Sequence, residues 1–252
     1  MKLNFFDANV FIGRPTVRGV FQPLATADEL TTHMQRTGIG KALVWHIAQS
    51  DGTPLAGNPL VTDAVADTEH LWGCWGILPP QTDGLIQPDF FDRMAASRIR
   101  ALRAFPDAHR YFLSRIVFGD FFDQVVARKI PLLLSLEYGV AWPAVYSLLQ
   151  EYPKLTCVLC DVGTWSVDRF TYPLLETYPN VYVETGLLSL ADGGVERMAG
   201  KFGAQRLLFG TGFPKRYAEA SMLQLAHADL PDADKRLIAG NNLARLLAAV
   251  SL

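Results

Sequence analysis

The chain has 252 residues, of which 50% are hydrophobic, and its formal net charge is −2. This length and apolar content suffice for one large core, and the lack of a basic surplus argues against nucleic acid as a partner. Three cysteines are too few for a disulfide framework, and without a recognisable secretory signal we expect a cytoplasmic protein. No apolar run approaches the roughly 20 residues of a membrane helix, so we expect no membrane association.

Eight short apolar segments recur along the chain, each bounded by polar residues, glycine or proline. Such segments predict strands, and we place them at residues 3–7, 42–47, 72–78, 99–105, 130–137, 155–161, 181–185 and 206–212. Several are apolar on both faces. This is typical of a parallel sheet that helices cover on one side and core side chains fill on the other.

Amphipathic stretches between these strands predict helices. The first begins at a capping box of Thr26 and Glu29 and ends at Gly38, and Asn58 followed by Pro59 indicates the start of the second. Further helices are predicted at 88–97, 119–129, 142–152, 168–178, 191–202, 219–228 and 241–249.

This alternation of strands and helices over about 250 residues is typical of a (β/α)8 TIM barrel. We therefore predict an α/β fold in which residues 1–252 form a single TIM-barrel domain. A doubly wound open sheet is the alternative, but "FDANVFIGRP" after the first strand is not a glycine-rich nucleotide loop.

In such a barrel the carboxyl ends of the strands and the loops after them form the active site. Polar side chains stand at several of these ends, and carboxylates that follow long apolar runs are unexpected unless they face a cavity or a cation. We predict catalytic roles for Asp161, Glu137, Asp7 and His46. We predict substrate-binding roles for Arg103, Asn9, Ser135, Glu184 and Trp165.

Side-chain chemistry motivates these roles. A buried carboxylate such as Asp161 needs a partner or a raised pKa, His46 titrates near neutral pH, and Arg103 has a planar fork that matches a carboxylate. Trp165 offers a wall for a planar ligand. Structural roles are the alternative: ion pairs for the charged groups, packing for the tryptophan, and hydrogen bonds to loop amides for Asp7.

Two further features receive structural interpretations. Cys157 and Cys160 have C-x-x-C spacing, but they lie in a predicted strand, where residues three apart face opposite sides. We therefore expect buried thiols rather than a redox or zinc site. Lys215 and Arg216 follow the "GTGFP" turn and are interpreted as a solvated loop.

The segments "FFDANVFIG", "IPLLLSLEYG", "CVLCDVG", "LLFGTGFP" and "IAGNNLARLL" follow one another in an order that resembles the amidohydrolase-2 family of TIM-barrel metal-dependent hydrolases and decarboxylases. The resemblance implies metal ligands in the Asp-x-His-x-His of strand one, a His in each of strands five and six, and the Gly-Ser-Asp of strand eight. The matching positions hold Asn9, Phe11, Ser135, Asp161 and Gly212. Phe11 and Gly212 have no donor atom, so we predict neither a zinc site of the family type nor any other cofactor.

Three functions remain open. The first is a metal-independent hydrolase or lactonase, in which Asp161 or Glu137 activates water and Arg103 holds a small carboxylate-bearing substrate. The second is a non-catalytic barrel that binds a small ligand or a partner, and a homo-oligomer is also left open. The third is a Mg²⁺- or Mn²⁺-dependent hydrolase with oxygen ligands from Asp7, Asn9, Glu137, Asp161 and Glu184.

Overall fold

The computed structural model describes residues 2–16, 23–163 and 167–252. Eight parallel strands form a sheet in which each strand pairs with the next one along the chain. They are β1 (Phe5–Ile12), β2 (Ile39–His46), β3 (Leu71–Gly76), β4 (Ile99–Arg103), β5 (Leu132–Ser135), β6 (Cys157–Cys160), β7 (Val181–Glu184) and β8 (Leu207–Leu208). The order of strands confirms the predicted (β/α)8 barrel.

The two ends of the sheet meet across the segment that follows β8. The amide of Ala8 donates to the carbonyl of Phe209 over 2.9 Å, and the amide of Gly212 donates to the carbonyl of Asn9 over 3.0 Å. These bonds hold the continuation of β8 beside β1, so the sheet forms a nearly closed barrel.

Helices connect the strands and surround the sheet. They are α1 (Ala27–Thr37), α2 (Ala48–Asp51), α3 (Pro54–Ala66), α4 (Phe90–Ala96), α5 (Pro106–His109), α6 (Arg115–Ala127), α7 (Trp142–Glu151), α8 (Asp168–Thr177), α9 (Gly194–Phe202), α10 (Ala218–His227), α11 (Asp232–Arg236) and α12 (Asn242–Ala248). The capping box of Thr26 and Glu29 and the left-handed Gly38 lie at the two ends of α1, as predicted. Among the described residues, no helix has the length and apolar character needed to cross a membrane.

The start of α3 differs from the prediction. The helix begins at Pro54, after the N-cap residue Thr53, so Asn58 lies inside it rather than at its start. The side chain of Asn58 is buried and bonds the backbone of Gly76 at the end of β3, accepting from the amide over 2.7 Å and donating to the carbonyl over 2.9 Å. A polar residue that reads as a helix cap in the sequence therefore fastens α3 to the sheet.

Strand β1 is longer than predicted. It continues past Asp7 to Ile12, and all of its residues are buried. Its register against β2 shifts between Asp7 and Val10, so strict alternation of side chains does not hold across this stretch. Because β1 extends to Ile12, Asn9 lies within the strand rather than after it.

The core has an inner and an outer layer. The inner layer fills the barrel with side chains from its strands, including Phe6, Leu43, Leu133, Val158 and Cys160, and α12 adds Leu243, Leu246 and Leu247. The outer layer lies between the sheet and the helices. Cys157 belongs to the outer layer and Cys160 to the inner one, and both are free, buried thiols, as strand alternation predicts.

Candidate functional site

Five of the predicted site residues meet at the carboxyl ends of the strands. They come from five different strands or from the position just after one: Asn9, Arg103, Ser135, Asp161 and Glu184. All five are buried, and side-chain hydrogen bonds join them into one network, here called the mouth cluster. The catalytic and binding roles of its members stay predictions.

Asp161 lies at the centre of the mouth cluster. Its Oδ2 accepts a hydrogen bond of 2.5 Å from Oγ of Ser135, and its Oδ1 accepts one of 3.0 Å from Nδ2 of Asn9. Oδ1 also accepts from Nη2 of Arg216. The backbone of Asp161 has φ 56, a left-handed conformation that aspartate tolerates better than most residues. This carboxylate is therefore held on both oxygens.

Glu184 lies deeper than Asp161 and is completely buried. Its Oε2 accepts from the amide of Asp161 over 3.2 Å and from Nδ2 of Asn9 over 3.3 Å, and its Oε1 accepts from the amide of Gly186. Burial and then the charge of Asp161 raise the pKa of Glu184 to about 7, against the opposing effect of Arg216. Near neutral pH Glu184 therefore both binds and releases a proton.

Asn9 joins the cationic and anionic parts of the cluster. Its Oδ1 accepts a 2.8 Å hydrogen bond from Nη2 of Arg103, while its Nδ2 donates to both Asp161 and Glu184. A side-chain amide has one acceptor and one donor group, so these three bonds determine how the amide is oriented. The sequence placed Asn9 at the rim but did not predict this linking position.

Arg103 is fully buried at the end of β4. Its guanidinium carbon lies 4.5 Å from the centre of the Trp45 ring. Its Nε and Nη1 have no oxygen or nitrogen acceptor among the described residues, and the guanidinium also interacts with the buried Cys160 thiol. Unpaired, buried N–H groups on a cation are costly, and they present a surface that suits an anion.

Asp7 belongs to a neighbouring network rather than to the mouth cluster. Its Oδ1 accepts from the amides of Asn9 and Thr211, over 3.0 and 3.1 Å, and its Oδ2 accepts from Oγ1 of Thr211 over 2.6 Å. Burial raises the pKa of Asp7 to about 6, and the bonds from Thr211 and Asn9 oppose this rise. The contacts fasten β1 to the segment after β8.

Arg216 is the residue that sequence analysis missed. It was interpreted as part of a solvated loop, yet only 21% of its side chain is exposed, and it bonds Asp161 from Nη2 and Glu137 from Nη1. Lys215 also binds Glu137, with 2.9 Å between Nζ and Oε2. Glu137 thus lies in a partly exposed ion-pair layer above the mouth cluster. The available signal was the excess of carboxylates at the strand ends, which require cations nearby.

Aromatic side chains line the wall next to this layer. The ring of Tyr138 contacts that of Trp45 edge-on, with 4.8 Å between centroids, and the ring of Phe11 lies 5.1 Å from Trp45. Nζ of Lys215 lies 5.0 Å from the Tyr138 ring. Phe11 therefore packs within an aromatic wall, at a position where the family would carry a histidine.

Of the two remaining predicted residues, one does not join the mouth cluster and the other lies outside the described residues. His46 is half-buried at the end of β2, where its Nδ1 accepts from the amide of Ala48 over 3.1 Å, and burial lowers its pKa. Trp165 lies outside the described residues. The prediction of a substrate-binding role for Trp165 therefore stays a prediction.

The donor set does not fit a metal of the family type. Among residues 2–16, 23–163 and 167–252, no group of three or more His, Cys, Asp and Glu side chains could hold a metal ion. The five oxygen ligands predicted for Mg²⁺ or Mn²⁺ separate into the mouth cluster, the Asp7 network and the Glu137 ion pairs. Arg216, a cation, contacts Asp161 where a metal would need that oxygen.

Comparison with known proteins agrees with the resemblance seen in the sequence. Residues 139–248, which include β6, β7 and β8, match the family model described as amidohydrolase. A comparison with curated protein sequences finds no match. The resemblance to the amidohydrolase-2 family is thereby confirmed, with its sequence evidence in the second half of the chain.

Several solved structures share the whole barrel. One is 5-carboxyvanillate decarboxylase from Sphingomonas paucimobilis, with a TM-score of 0.73, 14% identity, and coverage of 99% of this chain and 100% of that chain. Another is 2,6-dihydroxybenzoate decarboxylase from Rhizobium, with a TM-score of 0.74, 14% identity, and coverage of 98% and 99%. A third is a probable 2-pyrone-4,6-dicarboxylic acid hydrolase from Acinetobacter baumannii, with a TM-score of 0.73, 12% identity, and coverage of 98% and 100%. At these identities the likeness establishes the fold alone.

Proposed function

We propose that this chain is a metal-independent hydrolase of the lactonase type, which acts on a small ester that also bears a carboxylate. The observation that carries the proposal is the position of Asp161, at the carboxyl end of β6, with both oxygens bonded and Glu184 beside it. A pair of carboxyl groups at the active end of a TIM barrel is suited to general acid and base catalysis.

The two carboxyl groups have different parts in this proposal. Asp161 is 3% exposed and Glu184 is not exposed at all, so Asp161 is the member that meets water. Because the pKa of Glu184 is raised to about 7, Glu184 accepts a proton near neutral pH. Asn9 donates to both groups and the amide of Asp161 donates to Glu184, so the two carboxyl groups are held side by side.

The proposed reaction adds one water molecule to the ester. The carboxylate pair takes a proton from water while the water oxygen attacks the carbonyl carbon. The resulting tetrahedral intermediate then collapses, the bond from that carbon to the alkoxy oxygen breaks, and the pair returns the proton to the leaving oxygen. The products are an acid and an alcohol, so no oxidant, reductant or further substrate is required.

Arg103 provides the proposed contact for the carboxylate of the substrate. Its unpaired Nε and Nη1 groups match a carboxylate in charge and geometry, and the Trp45 ring supports the guanidinium from one side. Arg103 is fully buried, so in this proposal a substrate reaches it when Glu137 and Lys215, the more exposed members of the ion-pair layer, move apart. Such opening is common in enzymes that exclude water during the reaction.

The names of the structural relatives support this substrate class. The two decarboxylases act on a carboxyvanillate and on a dihydroxybenzoate, and the hydrolase acts on a pyrone that carries two carboxylic acids. A carboxylate is common to all three, and a 2-pyrone ring is a cyclic ester. Both features are present in the substrate proposed here.

A non-catalytic, ligand-binding barrel is the second candidate function. A cavity of about 360 Å³ lies between α8 and α9, beside the loop after Asp161, and its lining includes Arg169, Tyr172 and Arg197. This volume is within the range that holds a small molecule. In this case the mouth cluster stabilises the barrel, and the ligand binds without being changed.

Turnover by metal-free protein separates the two candidates. Chelator-treated protein is assayed by pH-stat against a panel of lactones and esters that carry a carboxylate. We expect hydrolysis in the wild type and a decrease in kcat/KM on the order of 10²- to 10⁴-fold in Asp161→Asn and in Glu184→Gln. Asp123→Asn and Glu176→Gln change exposed ion pairs that are not part of the mouth cluster and serve as matched controls.

Two results would reject the proposed hydrolase. One is that the wild type hydrolyses no member of the panel. The other is turnover that Asp161→Asn and Glu184→Gln leave at the level of the controls. Binding of a carboxylate-bearing ligand without turnover would favour the non-catalytic barrel.

A further inference from the structure

The Arg216 side chain occupies the space directly beside Gly212. Gly212 has φ +64, and a Cβ built on it would overlap Nη2 of Arg216 and would lie 2.5 Å from its Cζ. The Arg216 guanidinium therefore fills the volume that a side chain at position 212 would need. Position 212 matches the aspartate of the Gly-Ser-Asp motif in the resembling family, so a cation stands here where that family carries a carboxylate.

The guanidinium is held from several directions. Nη2 donates to Asp161, Nη1 donates to Glu137 over 3.0 Å, and Nε donates to the carbonyl of Thr211 over 3.2 Å. Glu184, although not bonded to it, lies close enough for the charge of Arg216 to lower its pKa. An arginine with bonds from all three nitrogens is rigidly placed.

The surroundings also require a cation at this point. Asp161 and Glu184 lie side by side in the interior, where two ionised carboxylates repel each other strongly. Arg103 contributes one positive charge on the far side of Asn9. Without Arg216, the remaining cation on the side that faces Glu137 would be Lys215, whose ion pair is with Glu137 rather than with Asp161 or Glu184. A carboxylate pair without a bonded cation attracts protons or a hard divalent cation.

We propose that Arg216 is a built-in cation of this site, which occupies the space of a side chain at position 212, fixes the Asp161 carboxylate and keeps divalent metal ions out. Arg216 is thus a positioning residue that acts through Asp161. The inference deepens the proposed metal-independent hydrolase, but it concerns geometry and ion binding and is testable without turnover.

The first test is a double-mutant cycle on the unfolding midpoint in urea. Gly212→Ala is made in the wild type and in Arg216→Ala, and Gly38→Ala is the control, because Gly38 also has positive φ but nothing lies within 4 Å of its Cβ position. We expect Gly212→Ala to lower the midpoint more than Gly38→Ala in the wild type, and equally in Arg216→Ala. An equal loss from Gly212→Ala in both backgrounds would overturn the shared-space proposal.

A neutral pair keeps this cycle informative if Arg216→Ala does not fold. In Asp161→Asn/Arg216→Gln the charge partner is neutralised together with the arginine, so neither member of this ion pair is left as an unpaired charge. A smaller side chain at 216 again relieves the overlap with position 212. The excess loss from Gly212→Ala over Gly38→Ala should therefore decrease, and an unchanged excess would overturn the proposal.

The second test measures Mn²⁺ binding by electron paramagnetic resonance. The variant Gly212→Asp/Arg216→Ala removes the cation and adds a carboxylate at a position where aspartate tolerates positive φ. We expect it to bind Mn²⁺ at least about tenfold more tightly than the wild type. Equal Mn²⁺ affinity in the two proteins would overturn the proposal that Arg216 excludes metal.

These outcomes are independent of the proposed reaction. A coupled cycle and a gain of Mn²⁺ affinity in a protein without turnover would support Arg216 as the built-in cation and reject the hydrolase. Turnover in a protein whose Gly212→Ala and Arg216→Ala effects simply add would support the hydrolase and reject the role of Arg216. The Arg216→Lys variant, which keeps the charge but not the planar fork, should keep Mn²⁺ out, as the wild type does.

Discussion

Arg216 donates from Nη2 to Oδ1 of Asp161, although 55 residues separate the two in the chain. The bond joins the loop after β8 to the residue after β6. Because Asp161 also accepts from Ser135 and Asn9, the bond completes a network that spans the barrel mouth. We therefore expect a change in any one of these side chains to alter the hydrogen bonds of the others.

Asn9→Ala should destabilise the fold by about 3 kcal/mol, because it removes a hydrogen bond from each of three buried charged groups, Arg103, Asp161 and Glu184. Urea denaturation at pH 7 measures the change. Asn180→Ala is the control, since Asn180 donates to the carbonyl of Lys154 at the surface. Equal losses in the two variants would contradict the linking role of Asn9.

Glu184 should make stability fall as pH rises between 4.5 and 7. Its pKa is about 4.5 in the unfolded chain and about 7 in the fold, so over this range the folded state binds more protons than the unfolded state. The free energy of unfolding then decreases with increasing pH, by about 3 kcal/mol in total for this group, and levels off above pH 7.

The measurement is a series of urea denaturations from pH 4 to 8. Glu184→Gln, which is neutral throughout, should remove this decrease, so the difference between wild type and variant changes with pH. Glu176→Gln, at an exposed ion pair, should run parallel to the wild type. A parallel course for Glu184→Gln as well would contradict the raised pKa.

Thr211→Val should raise the pKa of Asp7 above its value of about 6, because the hydroxyl of Thr211 donates to Oδ2 and stabilises the ionised form. The lost bond should also cost about 1 kcal/mol. Asp7 is titrated by carbon NMR of its carboxyl group, with Thr62→Val as the control for loss of a threonine hydroxyl. An unchanged titration midpoint in Thr211→Val would contradict the prediction.

Removal of metal should leave the protein unchanged. Dialysis against a strong chelator is expected to shift neither the thermal midpoint nor the turnover with a substrate from the ester panel, because no described donor set suits a divalent ion. Differential scanning calorimetry and pH-stat assays before and after dialysis check this. A loss on chelation that added Mn²⁺ or Zn²⁺ reverses would show that the site uses a metal.

Sequence analysis predicted the barrel and much of the mouth cluster, because both depend on local patterns. Apolar runs mark strands, and the residues at their ends, such as Arg103, Ser135 and Glu184, follow once the fold is assumed. The end of β1 was harder to predict. Asp7 reads as a strand terminus, yet the strand continues to Ile12, with a register shift against β2 between Asp7 and Val10.

Arg216 was not predictable in the same way. Two basic residues after a proline usually indicate a solvated loop, and the pattern contains no information about three carboxylates that lie far away in sequence. Arg216 takes this position because Gly212 has no side chain to exclude it and because the buried Asp161 carboxylate requires a cation. Both conditions arise only once the barrel has closed.

The orientation of the Asn9 amide separates positive from negative charge across the barrel mouth. Its carbonyl oxygen turns toward a guanidinium and its amino group toward two carboxyl groups, so positive and negative ends lie on opposite sides of one small side chain. The field between them lies in a medium of low polarisability and is weakly screened by salt. A polar molecule that entered the mouth would be oriented by this field.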